Sequence, residues 1–193
     1  PIEKRDGRPA ARRWRLHGPM TAMSDTNETG PYVPPDLTLI GDEHIRRYEE
    51  TDGVVGHEWN GATCLILTTK GRRTGEDRKF ALIYGRDGDN LLVIASKGGA
   101  PAHPGWYLNL LAEPVAHVQV LGDRFTARAR TASPEEKPRL WKIMTRNWPN
   151  YDVYTTRTDR DIPLVILEPS SVASGDVNDA APTNTPAPTE RAQ

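Results

Sequence analysis

Apolar and polar positions alternate along this chain in short blocks separated by turn residues. Thr63-Cys64-Leu65-Ile66-Leu67-Thr68-Thr69 is β-branched and apolar and lies between Gly61 and Gly71, which predicts a strand. Phe80–Tyr84 predicts a second strand. After the turn signal Arg86-Asp87-Gly88-Asp89, Leu91–Ser96 predicts a third. Val115–Leu121 and Phe125–Arg130 both alternate with period two around Gly122-Asp123, and Pro163–Leu167 predicts the sixth strand. Helices are fewer. Pro104 opens one that carries Trp106, Leu108 and Leu111 and stops before Pro114. Ser133-Pro134-Glu135-Glu136 is a capping box, followed by the stripe Leu140, Ile143, Met144; residues 36–51 predict a more polar helix. The class is mainly β with flanking helices (α+β). Hairpin-length joins favour a small antiparallel barrel and leave too little chain for the crossovers of a doubly wound sheet.

The ends dilute this pattern. Residues 1–35 open with Lys4, Arg5, Arg8, Arg12, Arg13 and Arg15 and continue as a polar, proline-bearing stretch. Arg12-Arg13 lacks the apolar segment of a twin-arginine export signal, so the part before Met20 or Met23 reads as an upstream extension. Residues 170–193 are rich in Ala, Pro, Thr, Ser and Asn. Neither end buries enough apolar surface to offset its ordering entropy, so both are expected to be disordered, with one domain at 36–169. This accounts for an overall hydrophobic fraction of only 36% and for 17 prolines. A formal net charge of −1 gives no global field for nucleic acid, so anion binding must come from local clusters. The single cysteine, Cys64, excludes an intrachain disulfide framework, and the five histidines show no metal-ligand spacing. No apolar run reaches membrane-spanning length, although peripheral membrane contact stays open; the expected compartment is the cytoplasm.

Three clusters carry candidate chemistry. Residues 70–79 hold five cations (Lys70, Arg72, Arg73, Arg78, Lys79) against Glu76 and Asp77. With Gly71 and Gly75 they read either as an anion cradle, its backbone N–H groups turned to a common point, or as a solvated hairpin protecting an edge. Ser96-Lys97-Gly98-Gly99 closes a buried strand just before the helix bearing Trp106 and Tyr107. That layout joins a hydroxyl, an ammonium, a glycine turn and a helix N-terminus into an anion site; alternatively it is a strand end beside core aromatics. Trp148-Pro149-Asn150-Tyr151-Asp152-Val153-Tyr154 either lines a pocket or packs as an amphipathic turn. Cys64 reads as core, and Ser96 lacks a nucleophile-elbow context; the P-loop and Gly-x-Gly-x-x-Gly fingerprints are missing.

Taken together, Leu67–Gly75, Ala95–Ala100, Pro104–Leu110 and Thr158–Pro163 resemble the deazaflavin-dependent nitroreductase family over about residues 64–169. The resemblance implies a split β-barrel of the flavin-mononucleotide-binding type and an oxidoreductase that uses reduced coenzyme F420, with FMN as the alternative cofactor. The acceptors it implies are quinones, activated enones or lactones, and nitroaromatics. It assigns Arg72, Arg73, Thr74 and Arg78 to the phosphate and oligoglutamate tail. Ser96, Lys97, Gly98 and Gly99 go to the ring and linker, and Gly105, Trp106, Tyr107 and Leu108 to the rest of the cofactor groove. Trp148, Tyr151 and Tyr154 fall on the substrate side, with Tyr151, Tyr154 or Ser96 as proton donor. Trp148, Ile83 and Phe80-Ala81 depart from the best-known member, which weakens the substrate inference more than the cofactor inference. A homodimer is expected. A non-catalytic F420 or metabolite carrier is the rival that is not an enzyme.

Overall fold

The computed structural model describes residues 32–170. Along it run α1 (Gly41–Glu50), β1 (Glu58–Trp59), β2 (Ala62–Lys70), β3 (Asp77–Asp87) and β4 (Asn90–Ile94). A 3-10 turn (Lys97–Gly99), α2 (Gly105–Ala112), β5 (Val115–Val120), β6 (Asp123–Thr131), α3 (Lys137–Asn147), α4 (Asn150–Thr155) and β7 (Leu164–Pro169) follow. The strands pair antiparallel in the order β2-β3-β4-β7-β6-β5. Strand β5 returns to β2, so six strands close into a split β-barrel, with β1 hairpinned onto β2.

The period-two alternation sorts side chains between two cores. Leu65, Leu67, Leu91, Val93, Val118, Ala127, Val165 and Leu167 fill the barrel, together with Trp106 and Tyr107 of α2. Outside it, Leu92, Ile94, Leu164 and Ile166 pack against Leu140 and Met144 of α3 and against Trp148, Tyr151 and Tyr154. Strand β2 is covered on both faces, hence its unbroken apolar run. The capping box forms as the sequence implies: Ser133 N–H donates to Glu136 Oε2 (2.9 Å) and Glu136 N–H to Ser133 Oγ (3.3 Å).

Some boundaries differ from expectation. Strand β3 extends to Asp77, so Arg78 and Lys79 belong to a strand, and the connection shrinks to residues 71–76. Strand β4 ends at Ile94; Ser96 has already turned helical, with φ −73° and ψ −45°. The helix expected from 36 begins at Gly41, because two asparagines hold the preceding stretch extended. Asn150 binds both backbone groups of Val33 (3.1 and 2.7 Å), and Asn60 binds both of Asp36 (2.7 and 2.9 Å). The boundary expected at residue 36 falls inside this anchored stretch. Residues 1–31 and 171–193, where disordered ends were expected, lie outside the described residues. No helix among the described residues is long and apolar enough to cross a membrane.

Helix α1 is tied to the barrel by Tyr48, which is fully buried. Its hydroxyl donates to Cys64 O (3.0 Å), accepts the Leu121 N–H (2.9 Å) and lies 3.2 Å from His57 Nδ1. Removing it strands buried backbone groups, so Tyr48→Phe is expected to lose about 1–3 kcal/mol in urea unfolding. A variant as stable as its parent would show that this hydroxyl is not the tie.

Candidate functional site

A cavity of about 520 Å³ lies against the outside of the barrel. Its floor is the outward face of β3 (Lys79, Ala81, Ile83), with Cys64 from the neighbouring strand. Leu37, Ile40 and His44 form one wall; Trp148, Tyr151 and Tyr154 form the other. The turn Ser96-Lys97-Gly98, with Pro104 and Trp106, closes one end. The anchored stretch before α1 supplies the roof, where Leu37 and Ile40 stay 59% and 49% exposed although they reach the cavity. Trp59 reinforces that roof: its indole N–H donates to Leu39 O at 2.7 Å.

Polar groups from three elements face this space. Ser96, Trp106 and Tyr151 are 8%, 4% and 5% exposed as residues, and all three line the cavity. No buried side-chain polar atom among the described residues lacks a partner, so polar atoms here that make no internal hydrogen bond are open to the cavity and available to what occupies it. The Tyr154 hydroxyl accepts from Trp148 Nε1 at 3.3 Å. Burial, then the neighbouring Cys64 and Tyr154, push the Tyr151 phenol well above the usual tyrosine range, so it remains a neutral donor. Burial likewise pushes the Cys64 thiol up to about 12, which rules out a thiolate nucleophile.

The turn and loop expected to bind anions behave differently. Lys97 and Gly98 adopt left-handed φ values of 49° and 64°, and Lys97 is exposed with no ion pair among the described residues. Gly99 packs instead: an added Cβ would meet Arg157 Cβ and the Tyr154 carbonyl, each at 2.7 Å. In the loop the Thr74 and Gly75 N–H groups bond to Gly71 O (3.1 and 2.7 Å), and the Arg72 N–H donates to Asn109 Oδ1 (3.2 Å). The loop therefore offers arginine side chains and no nest of amides. Three of its five cations are engaged with carboxylates: Lys70 with Asp77 (2.7 Å), Arg78 with Glu76 (2.8 Å) and Lys79 with Glu49 (2.7 Å). Arg72 and Arg73 make no such pair among the described residues.

Buried Asn109 joins loop to cavity. It accepts from Arg72 Nη1 (3.2 Å) and donates to Thr69 Oγ1 (3.0 Å), docking the loop on α2. Trp106 and Asn109 stand at i and i+3, on one face of that helix, so the loop sits one turn along from the cavity end. Arg78 faces an adjoining depression that shares Asp42, Ile45, Lys79 and Phe80 with the cavity lining. Of the other expected residues, Thr74 is in the exposed loop and Gly105 and Leu108 are on α2 away from the cavity lining. Tyr107 points into the barrel core, its hydroxyl 3.1 Å from Thr131 Oγ1.

Residues 41–169 match the model of the family described as F420H(2)-dependent quinone reductase. The chain belongs to this family. An F420H(2)-dependent quinone reductase of Mycobacterium tuberculosis is 43% identical over 128 residues, which cover 64% of this chain and 86% of the relative. Among solved structures, an F420-H2 dependent reductase aligns with a TM-score of 0.51 and 36% identity, over 54% of this chain and 93% of that one. A second, described as a domain-swapped dimer, aligns with a TM-score of 0.54 and 33% identity, over 65% and 95%. As a member of the F420H(2)-dependent quinone reductase family, the protein is an F420-dependent reductase with coenzyme F420 as its cofactor, which decides against the FMN alternative.

Sequence reasoning missed the wall formed by Leu37, Ile40 and His44, because nothing local ties residues 37–44 to α4. It also gave no role to Asn109 or Arg160. Their signals were a lone amide in an apolar helix and a cation between two aspartates.

Arg160 Nη1 lies 3.2 Å from Nδ1 of His103, so that nitrogen must be the unprotonated acceptor. Burial, then the Arg160 charge, lower the His103 pKa from 6.5, with Asp161 opposing. The unfolded chain therefore binds this proton more readily, so the stabilisation is whole above about pH 6.5 and is lost as pH falls toward the lower folded value. Melting temperature followed from pH 7.5 to 5 should fall less steeply in His103→Gln than in the parent; parallel curves would refute the assignment.

Proposed function

We propose that this chain reduces quinone-type acceptors by passing them a hydride from reduced F420 within the 520 Å³ cavity. The observation that carries the reading is the convergence of the polar side chains of Ser96, Trp106 and Tyr151 and an unpaired lysine on one apolar, walled space. The residues suit the cofactor. A planar ring would lie between the β3 floor and the aromatic wall, while Lys97 at the cavity end and Arg72, docked on α2 by Asn109, with its neighbour Arg73 would meet an anionic tail. Ser96, Trp106 and Gly98 would hold the ring side. Gly105, Tyr107 and Leu108 would support the groove from α2, Gly99 would set the turn against α4, and Thr74 and Arg78 would act only toward the end of the tail.

When bound, reduced F420 supplies the hydride-donating carbon itself. The chain's task is to hold the acceptor close and keep water out. Trp148, Tyr154, Leu37 and Ile40 enclose the acceptor, and the Tyr151 hydroxyl, kept protonated by burial, donates a hydrogen bond to a carbonyl oxygen that gains charge. Tyr154 and Ser96 are the other candidate donors. Activated enones, lactones and nitroaromatics present similar oxygens, but the departures at Ile83 and Trp148 lie on the cavity itself and tune this side. A homodimer remains part of the proposal, with the domain-swapped relative in its support.

The test is anaerobic incubation with reduced F420 and a quinone panel, following the return of oxidised cofactor absorbance. Cofactor that binds without reoxidation above the spontaneous rate would leave a carrier and overturn the reading. Lys97→Ala and Arg73→Ala are each expected to raise the F420 Kd about tenfold, roughly 1.4 kcal/mol. Tyr151→Phe should lower kcat about 100-fold with the cofactor Kd unchanged, and Tyr154→Phe less. If both basic variants keep parental affinity, the tail assignment is wrong.

A further inference from the structure

Arg160 sits between Asp159 and Asp161, yet among the described residues it makes no ion pair. All of its guanidinium donors go elsewhere. Nε donates to Ala100 O (2.8 Å), and Nη2 to Ser96 O (2.6 Å) and Ala95 O (3.0 Å). Nη1 reaches His103 Nδ1 (3.2 Å) and Asp161 O (3.4 Å). Four of these five acceptors lie in residues 95–103, the segment that carries Ser96, Lys97 and Gly98 to the cavity.

Two consequences follow. The first is geometric. Drawing the carbonyls of Ala95, Ser96 and Ala100 to one point behind the turn fixes its backbone, including the left-handed Lys97, a conformation that costs a side-chain-bearing residue about 1–2 kcal/mol. The Gly99 and Ala100 N–H groups bond within the turn to Ser96 O (3.0 Å) and Lys97 O (3.1 Å). Those of Lys97 and Gly98 have no acceptor among the described residues, and both residues line the cavity. The second is electrostatic. A formal positive charge held mainly by backbone carbonyls, with the His103 ring beside it and the Asp161 charge nearby, stands against a turn that carries an ammonium and two amides without acceptors among the described residues.

We propose that Arg160 is a positioning residue for the anion-binding turn: it shapes residues 96–98 and adds its charge to their field, so that it governs cofactor affinity without touching the cofactor. This rests on the F420 reading above. It is tested on the full chain with Arg160→Gln, which removes the charge, and Arg160→Lys, which keeps the charge but loses the fork. In the cofactor-free protein, hydrogen–deuterium exchange at residues 97–100 should quicken in both. The F420 Kd should rise at least about tenfold in Arg160→Gln, and less in Arg160→Lys. The salt dependence of Kd should flatten in Arg160→Gln and recover in Arg160→Lys, a response that a purely mechanical brace would not give. The quinone KM at saturating cofactor should stay within about twofold, because the opposite wall is untouched.

A folded Arg160→Gln with parental exchange and Kd overturns the proposal, as does faster exchange with unchanged Kd. Should Arg160→Gln fail to fold, Arg160→Lys decides: parental exchange and parental Kd there overturn it equally. A parent chain that binds no F420 overturns the functional reading and this inference together, an outcome seen before any variant is measured.

Discussion

Strand β2 is hydrogen-bonded along both edges, to β3 over Cys64–Lys70 and to β5 over Ile66–Thr69, and the rest of the site depends on that double pairing. It closes the barrel and, among the described residues, leaves β1 as the one strand hanging from its rim. It also forces a choice on every residue nearby. Leu65 and Leu67 turn inward, while Cys64 turns outward opposite Ile83. Because opposed residues in an antiparallel pair share a face, Lys79, Ala81 and Ile83 become a flat outward strip that the barrel itself cannot cover. Elements outside the barrel must cover it, and the gap they leave is the cavity.

Those covering elements are held by single, specific ties. Tyr48 secures α1, Asn150 and Asn60 hold the stretch before it, Asn109 secures the basic loop, and Arg160 secures the turn after β4. Each is a polar side chain whose hydrogen bonds reach groups far away in sequence, mostly backbone ones. A neutral protein can in this way present local positive charge. Ion pairs engage Lys70, Arg78 and Lys79, while Arg72, Arg73 and Lys97 are left without carboxylate partners among the described residues. Exposed ion pairs contribute little to stability, so those pairings bear more on which cations remain for a ligand than on folding.

What the sequence made legible was local. All six barrel strands, the capping box at Ser133 and the helix after Pro104 follow from period, turn residues and proline placement within windows of about ten residues. The turn Ser96–Gly99 and the cluster Trp148–Tyr154 were visible as candidates, though not as opposite sides of one space. The backbone of the 71–76 loop misled, because glycines imply freedom without saying where the N–H groups go; here Gly71 O takes two of them. Short α4 was hidden because six residues around Tyr151 carry no periodic signal. Asn109 and Arg160 were invisible as ties because their partners lie about 40 and 60 residues away and include backbone atoms, which a sequence does not distinguish from one position to the next.

The two ends of the cavity are therefore built from different materials. The turn at Ser96 and the helix at Trp106 grow out of the barrel, with Trp106 packed in its core, so any change there must also satisfy the interior. The side proposed for the acceptor is made from the stretch before α1, from α4, and from Ile83 and Trp148, which rest on the barrel without filling it. Substitution at these positions alters shape and polarity at the acceptor without disturbing strand pairing. On the proposed reading, that asymmetry leaves Ile83 and Trp148 freer to vary than the turn at Ser96. A shared carrier can be kept while the molecule it reduces is changed, because the constraint of barrel closure reaches one end of the cavity and stops short of the other.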